Sequence, residues 1–384
     1  MKTSSLFYCN PRFLVLGAGN GGRAMATYLA EKGYPVDLFN RSKEKLIEIK
    51  EQGGIWARGI LQGFFDLQRI SDDLEELVPY ADIILVVVPA SAHAELAHKL
   101  APIVNPGQLI ILNPGRTFGA LEFRHIFDKA GVSEELIVCE TQTLLFTART
   151  LVGNGVEVLR IKDKVNISTW PENKIFSAYY RISHIFPQFR PVSNFLATTL
   201  NNIGCIFHPA TTLLNSASID RGQDLFFYQE GITPNTAEIL KRVETEMITV
   251  GAYLGVRITP VIEWVKQTYG IRSSTLYDAI HQVKAYRSIS APKGLKTRYL
   301  VEDVPTGLVP ISSVAKTIGI ETPTIDAIIH LAGILSGKDF WRVGRTVEKL
   351  GLKTLILERS RRFLRTQVES QNLNELEEML DEEE

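Results

Sequence analysis

The chain has 384 residues, 45% hydrophobic and 22% charged, ordinary globular values at a length that suits two domains or three. Its 42 basic and 43 acidic side chains leave a formal charge of −1, so no whole-chain field recruits nucleic acid. Three cysteines, Cys9, Cys139 and Cys205, lack CxxC or Cys/His spacing, which argues against a disulfide framework and a structural zinc and suits a reducing cytoplasm.

From the N-terminus, Lys2 precedes Pro11 with no long apolar segment between them, so secretion is not expected. Phe13 to Leu16 reads as a first strand and Arg23 to Lys32 as the helix after it. Val36 to Phe39 is a second strand and Lys43 to Gln52 a second helix, stopped by Gly53-Gly54. Further strands are expected at Ile83 to Val88, Gln108 to Leu112 and Leu136 to Cys139. The first of these opens the most apolar stretch, Ile83 to Ala90, far shorter than the roughly 20 residues that cross a bilayer, so no membrane partner is expected. Val156 to Ile161 and Lys164 to Trp170, separated by Lys162-Asp163, read as a hairpin closing the sheet. This alternation predicts an α/β fold, a Rossmann-like parallel sheet with helices on both faces. From about Phe195 helical periodicity takes over, at Glu238 to Tyr253, Thr259 to Tyr269, Ser313 to Ile320, Thr324 to Leu335 and Val343 to Phe363. The domain boundary is expected near Pro191, giving a dinucleotide-binding domain over 1–190 and an all-helical domain over 191–384. The tail from Asn374 to Glu384 carries seven acids in eleven residues and reads as a solvated terminus.

Gly17-Ala18-Gly19-Asn20-Gly21-Gly22 matches GxGxxG between an apolar strand and a helix, the context that gives this motif its meaning. Gly17 allows the tight turn, Gly19 lets the backbone approach a pyrophosphate, and Gly22 lets the helix pack on the strand, with helix N–H groups facing the phosphates. An acid about 20 residues on would hold the ribose 2′-hydroxyl of NAD. Here Asn40-Arg41-Ser42 follows the second strand instead. An arginine pairs with a 2′-phosphate and Asn and Ser donate to it, so NADP is favoured over NAD. Asp37 competes as the ribose acid but lies within the strand pattern.

Among seven histidines, His93, His98, His125, His281 and His330 fall in helical periodicity and read as packed or surface residues. His208 stands directly before Pro209, where the α conformation is disfavoured, and reads as a titratable group at a chain break. From the residues alone a packed histidine is the commoner case. The stretch from Arg298 through Glu302-Asp303-Val304-Pro305 to Gly307 and Pro310 reads as a loop holding a cation and two acids. Its arginine suits a carboxylate and its aspartate a histidine, but spacing does not join Asp303 to His208.

These residues resemble the octopine/nopaline (opine) dehydrogenases over nearly the whole chain. The resemblance is carried by Gly17 to Gly22, Asn113-Pro114-Gly115-Arg116-Thr117-Phe118-Gly119, Glu140-Thr141 with Ala148-Arg149, Asn201-Asn202 through Phe207-His208-Pro209-Ala210 to Leu214-Asn215, and Arg298-Tyr299 through Glu302-Asp303-Val304-Pro305 to Leu308. It implies an N-terminal Rossmann domain, a helical C-terminal domain with substrates between them, and NAD(P)H-dependent reductive condensation of an amino acid with a 2-oxo acid, commonly pyruvate. It implies His208 as acid/base, Asp303 as its partner, Arg298 as a substrate carboxylate binder and Thr141 as a contact of the oxo acid. Arg116 stands where some members carry another polar residue and is a candidate carboxylate anchor. No metal ligand is implied, and a homodimer is left open.

Two other readings share the Rossmann-plus-helical order. A ketopantoate-reductase-like or glycerol-3-phosphate-dehydrogenase-like enzyme would use a lysine as acid/base, and His208-Pro209 argues against it. A non-catalytic NADP-sensing protein would have no need of His208, Arg298 and Asp303 together. Synthesis of an opine-type metal chelator would share the chemistry and differ in the amine.

Overall fold

The computed structural model describes residues 10–366; Cys9 and the acidic tail lie outside them. The described residues form two compact units that divide between Thr199 and Leu200.

In the first unit the strands are β1 (Phe13–Leu16), β2 (Val36–Phe39), β3 (Gly54–Gly59), β4 (Gly63–Asp66), β5 (Arg69–Ser71), β6 (Ile83–Val86), β7 (Leu109–Leu112), β8 (Ile137–Thr141), β9 (Phe146–Thr150), β10 (Val156–Ile161), β11 (Val165–Trp170) and β12 (Phe189–Pro191). The helices are α1 (Asn20–Glu31), α2 (Ile47–Gln52), α3 (His93–Leu100), α4 (Gly119–Lys129), α5 (Ile175–Ile182) and α6 (Phe195–Thr199). Eight strands form one sheet in the order β12-β11-β8-β7-β6-β1-β2-β5, parallel except where β11 runs against β8. Alternate residues of its central strands enter separate cores. Phe13, Val15, Ile83 and Leu85 pack on one face, and Leu14, Leu16, Ile84 and Val86 on the other. Unbroken apolar runs such as Phe13–Leu16 are therefore what a strand covered on both faces requires.

The expected hairpin does not form. β10 pairs with β9 and β3 in a second sheet, ordered β4-β3-β10-β9, while β11 crosses to pair with β8 and β12. The second sheet packs on α1 and shares a core with the first, which accounts for the continuous burial of α1 from Gly21 to Leu29. The second helix is shorter than periodicity suggested. Lys43–Lys45 makes a 3-10 turn before α2, which ends at Gly53 with φ +74°. Residues past Pro191 stay with the first unit, because α6 packs on β8 and β11 and the Phe195 ring meets Trp170 at 4.8 Å. By packing, the two units divide at Thr199/Leu200.

In the second unit α7 (Ile203–Leu214) packs against α9 (Pro234–Tyr253) and α14 (Pro323–Ser336) and is buried from Gly204 to Thr212. The other helices are α8 (Ser216–Asp220), α10 (Val261–Tyr269), α11 (Leu276–Gln282), α12 (Arg298–Val301), α13 (Val309–Thr317) and α15 (Phe340–Val343). The single helix expected over Val343–Phe363 is broken. α15 ends at Gly344, Gly351 takes φ +66°, and helix resumes over residues 353–366. Among the described residues no helix is long and apolar enough to cross a membrane.

Asp37 settles one alternative on β2. Its side chain is fully buried and accepts from Arg12 Nε at 2.8 Å and Nη2 at 3.0 Å, and from Arg69 Nη2 at 2.8 Å. It ties the chain just before β1 to β5 and is not a ribose ligand. Replacing Asp37 with Ala leaves two cations without their acceptor at a sheet edge and should cost about 2–3 kcal/mol. The thermal midpoint of the first unit's unfolding is expected to fall by roughly 5–10 °C; an unchanged midpoint would show that the pair carries no stability.

Candidate active site

The glycine-rich turn joins β1 to α1. Gly17 holds φ +117°, and a Cβ on it would lie 2.5 Å from the Val87 carbonyl oxygen. At Gly22 a Cβ would lie 1.7 Å from the Gly17 carbonyl oxygen, so strand and helix meet only through glycine. At Gly19 nothing lies within 4 Å of that position, leaving the backbone open on the side where a pyrophosphate would rest. No side chain caps the α1 N-terminus. Glycine where the turn needs it, and open space where a ligand does, fit a dinucleotide.

Asn40 braces the turn. Its Oδ1 accepts from the Ala18 N–H at 3.0 Å and one of its two Nδ2 hydrogens goes to the Ser42 carbonyl at 2.9 Å. The Arg41 guanidinium is exposed and meets Glu95 at 3.1 Å. Asn20, exposed on the first turn of α1, accepts from the Thr150 N–H at 2.9 Å. Sequence reading missed Arg23, which is only 6% exposed although it sits in a Rossmann helix. Its Nε donates to the Ala18 carbonyl at 3.1 Å and its Nη1 to the carbonyls of Gly153, at 2.7 Å, and Gly155, at 3.1 Å. It fastens the glycine-rich turn to the β9–β10 connection, and burial lowers its pKa.

At the carboxyl ends of β7 and β8 the chain is tightly constrained. Arg116 (φ +60°) and Phe118 (φ +64°) both take the left-handed conformation, which costs a side-chain-bearing residue of order 1 kcal/mol. The Thr199 hydroxyl holds them there, accepting from the Phe118 N–H at 2.5 Å and donating to the Arg116 carbonyl at 3.3 Å. Buried Glu140 accepts from the Ala120 N–H at 2.8 Å in the first turn of α4, and a Cβ on Gly115 would lie 2.4 Å from its own. Thr141 is buried, its hydroxyl directed at the carbonyls of Thr143, 3.1 Å away, and Leu112, 3.3 Å away.

In the second unit both proline-marked segments are helical, contrary to the reading from local rules. Pro209 lies inside α7, so His208 stands on a buried helix and not at a chain break. The segment around Asp303 is α12, then a π-helical turn over Val304–Leu308, then α13, with Pro305 and Pro310 near element starts where a missing N–H is tolerated. Gly307 permits the contact that matters. A Cβ there would lie 2.6 Å from the Cβ of Cys205, one turn before His208. That approach brings Asp303 Oδ2 to 2.7 Å from His208 Nδ1.

The imidazole is enclosed by further groups. Tyr299 stacks on it at 4.2 Å, Phe227 lies at 6.2 Å, and the Tyr228 hydroxyl stands 3.2 Å from Nε2. Burial raises the Tyr228 and Tyr299 phenols, keeping them protonated. With Asp303 Oδ2 accepting from Nδ1–H, Nε2 is the ring atom that faces the Tyr228 hydroxyl. Arg298 is exposed beside the Tyr299 ring, 5.9 Å from its centroid, and makes no ion pair among the described residues. The unit thus gathers His208, Asp303 and Arg298, and adds Tyr228 and Tyr299. Tyr228 sits in an irregular segment without a motif, so nothing in the sequence marked it.

Known proteins match both units. The family described as NAD/NADP octopine/nopaline dehydrogenase, alpha-helical domain, matches residues 191–336, and the NAD binding domain of 6-phosphogluconate dehydrogenase matches residues 12–117. An opine dehydrogenase of Arthrobacter sp. (strain 1C) is 41% identical over 344 residues, which cover 89% of this chain and 96% of that protein. Among solved structures, a yersinopine dehydrogenase with NADP+ bound superposes with a TM-score of 0.75 at 12% identity, covering 92% of this chain and 99% of its own. An octopine dehydrogenase solved with NADH and L-arginine gives 0.73 at 23%, covering 90% and 96%. A glycine turn that admits a dinucleotide, a buried His–Asp pair and this likeness converge: the chain belongs to the opine dehydrogenase family, NAD(P)-dependent oxidoreductases that act on CH–NH groups.

Proposed function

We propose that this protein condenses the α-amino group of an amino acid with a 2-oxo acid, pyruvate being the first candidate, and reduces the resulting imine at the expense of NADPH. The observation that carries the reading is the His208–Asp303 pair at 2.7 Å with Arg298 close by and, among the described residues, without an ion pair. Attack of a neutral amine on a carbonyl requires a proton to leave nitrogen and another to reach the departing oxygen. His208 Nε2 takes the first and returns it as the carbinolamine loses water, while Asp303 stabilises the intervening imidazolium and fixes the tautomer. Tyr228, donating to Nε2 in the absence of substrate, holds the ring in register. Arg298 holds a substrate carboxylate. When bound, the nicotinamide dinucleotide supplies the hydride that reduces the imine carbon.

Arg41 supports NADPH over NADH. Its pairing with Glu95 is a surface contact of the kind worth about 0–1 kcal/mol, readily exchanged for a 2′-phosphate. Buried Cys139 and Cys205, neither of them in a disulfide, suit the reducing cytoplasm to which the reading assigns the enzyme.

The direct test follows NADPH and NADH oxidation with pyruvate, glyoxylate and 2-oxoglutarate, each with and without every amino acid. Turnover is expected only when amine and oxo acid are both present; turnover on the oxo acid alone would make the protein a simple reductase. His208→Ala should lower the condensation rate by about 100- to 10,000-fold and leave NADPH affinity, read by cofactor fluorescence, within about twofold. Retained turnover would remove the role. Arg41→Glu is expected to weaken NADPH about tenfold or more and NADH little; equal losses for both would withdraw the NADP assignment.

A further inference from the structure

Lys162, in the turn after β10, has no part in the site described so far. Its Nζ donates to the Thr143 hydroxyl at 2.8 Å, and its backbone N–H donates to the Leu145 carbonyl at 3.0 Å. Among the described residues no carboxylate pairs with it, and Asp163, the next residue, pairs at 3.4 Å with Arg160 instead. The charged groups facing Lys162 are the guanidiniums of Arg116, after β7, and Arg160, on β10. Burial first, then these like charges, lower its ammonium to about 8. A partly buried ammonium held by one neutral hydroxyl keeps donors to spare and a charge the fold leaves unbalanced, an arrangement that an anionic oxygen completes.

The position is that of a ligand group. Thr143 follows Thr141 at the carboxyl end of β8 and precedes Leu144, whose methyl carbon would stand 2.9 Å from a Cβ on Gly21. The ammonium is therefore anchored beside the glycine-rich turn, where ligands of open α/β sheets bind.

We propose that Lys162 binds the carboxylate of the 2-oxo acid, with Thr143 as the residue that positions its Nζ. The proposal rests on the reading of the protein as an enzyme of 2-oxo acids. The same donors would also suit the pyrophosphate of the dinucleotide, and the experiment separates the two.

Calorimetric titration of pyruvate, glyoxylate or 2-oxoglutarate into the NADPH-saturated protein, and of NADPH into the free protein, is compared for the wild type, Lys162→Met and Lys162→Arg. Lys162→Met should weaken the oxo acid about tenfold or more and leave NADPH within about twofold, while Lys162→Arg keeps both. Because the lowered ammonium loses its proton as pH rises through about 8, wild-type oxo-acid affinity should fall between pH 7 and 9 and that of Lys162→Arg should not. Unchanged oxo-acid affinity in Lys162→Met overturns the proposal, as does failure of the wild type to bind any of the three acids. Loss of NADPH affinity in its place overturns it too and names the pyrophosphate as the anion. Failure of condensation with an amine, when oxo-acid binding still follows Lys162, would fall on the proposed function alone.

Discussion

Helix α1 is buried on both sides, and that burial is the constraint to which the first unit answers. The helix packs under the eight-stranded sheet and is covered in turn by the second sheet, so its residues from Gly21 to Leu29 are small or apolar almost without exception. Arg23 is the exception, and it is kept by work at a particular place. Its guanidinium crosses from the Ala18 carbonyl to the carbonyls of Gly153 and Gly155, so the second sheet braces the turn that faces the phosphates. The dinucleotide cradle is thus held from two directions, by Asn40 on one side and by Arg23 on the other.

In the second unit close approach has the same function. Gly307 lets the π-helical turn rest against Cys205, and the extra residue of that turn helps set Asp303 against His208. The aromatic rings of Tyr299, Phe227 and Tyr228 surround the imidazole and keep water from it, which strengthens the pairing with Asp303.

Much of this was legible from residue order. The apolar runs at Phe13–Leu16, Ile83–Val86 and Leu109–Leu112 read as buried strands because both faces of each are covered. The GxGxxG run read as a phosphate turn because its glycines answer to backbone geometry within a few residues. Where local rules misled, packing outweighed them. The proline inside α7 costs about 3 kcal/mol or more, and burial of that helix from Gly204 to Thr212 offsets it; Pro305 and Gly307 are absorbed in the same way by a buried π-helical turn. Val156–Ile161 and Val165–Trp170 sit as near in sequence as a hairpin requires, yet each finds a better partner elsewhere, in β3 with β9 and in β8 with β12.

By itself the sequence determined the α/β-then-helical order, the glycine turn and, through resemblance, the roles implied for His208, Asp303 and Arg298, because each depends on near neighbours or on a motif carried intact. Only the tertiary structure decided that Asp37 is locked between Arg12 and Arg69, that Asn40 accepts from Ala18, that Tyr228 meets His208 and that Lys162 has no counter-ion among the described residues. Those facts concern which polar groups find partners. In a folded chain the partner of a side chain is set by distances of a few ångströms between residues far apart in order, and no spacing along the chain encodes that distance.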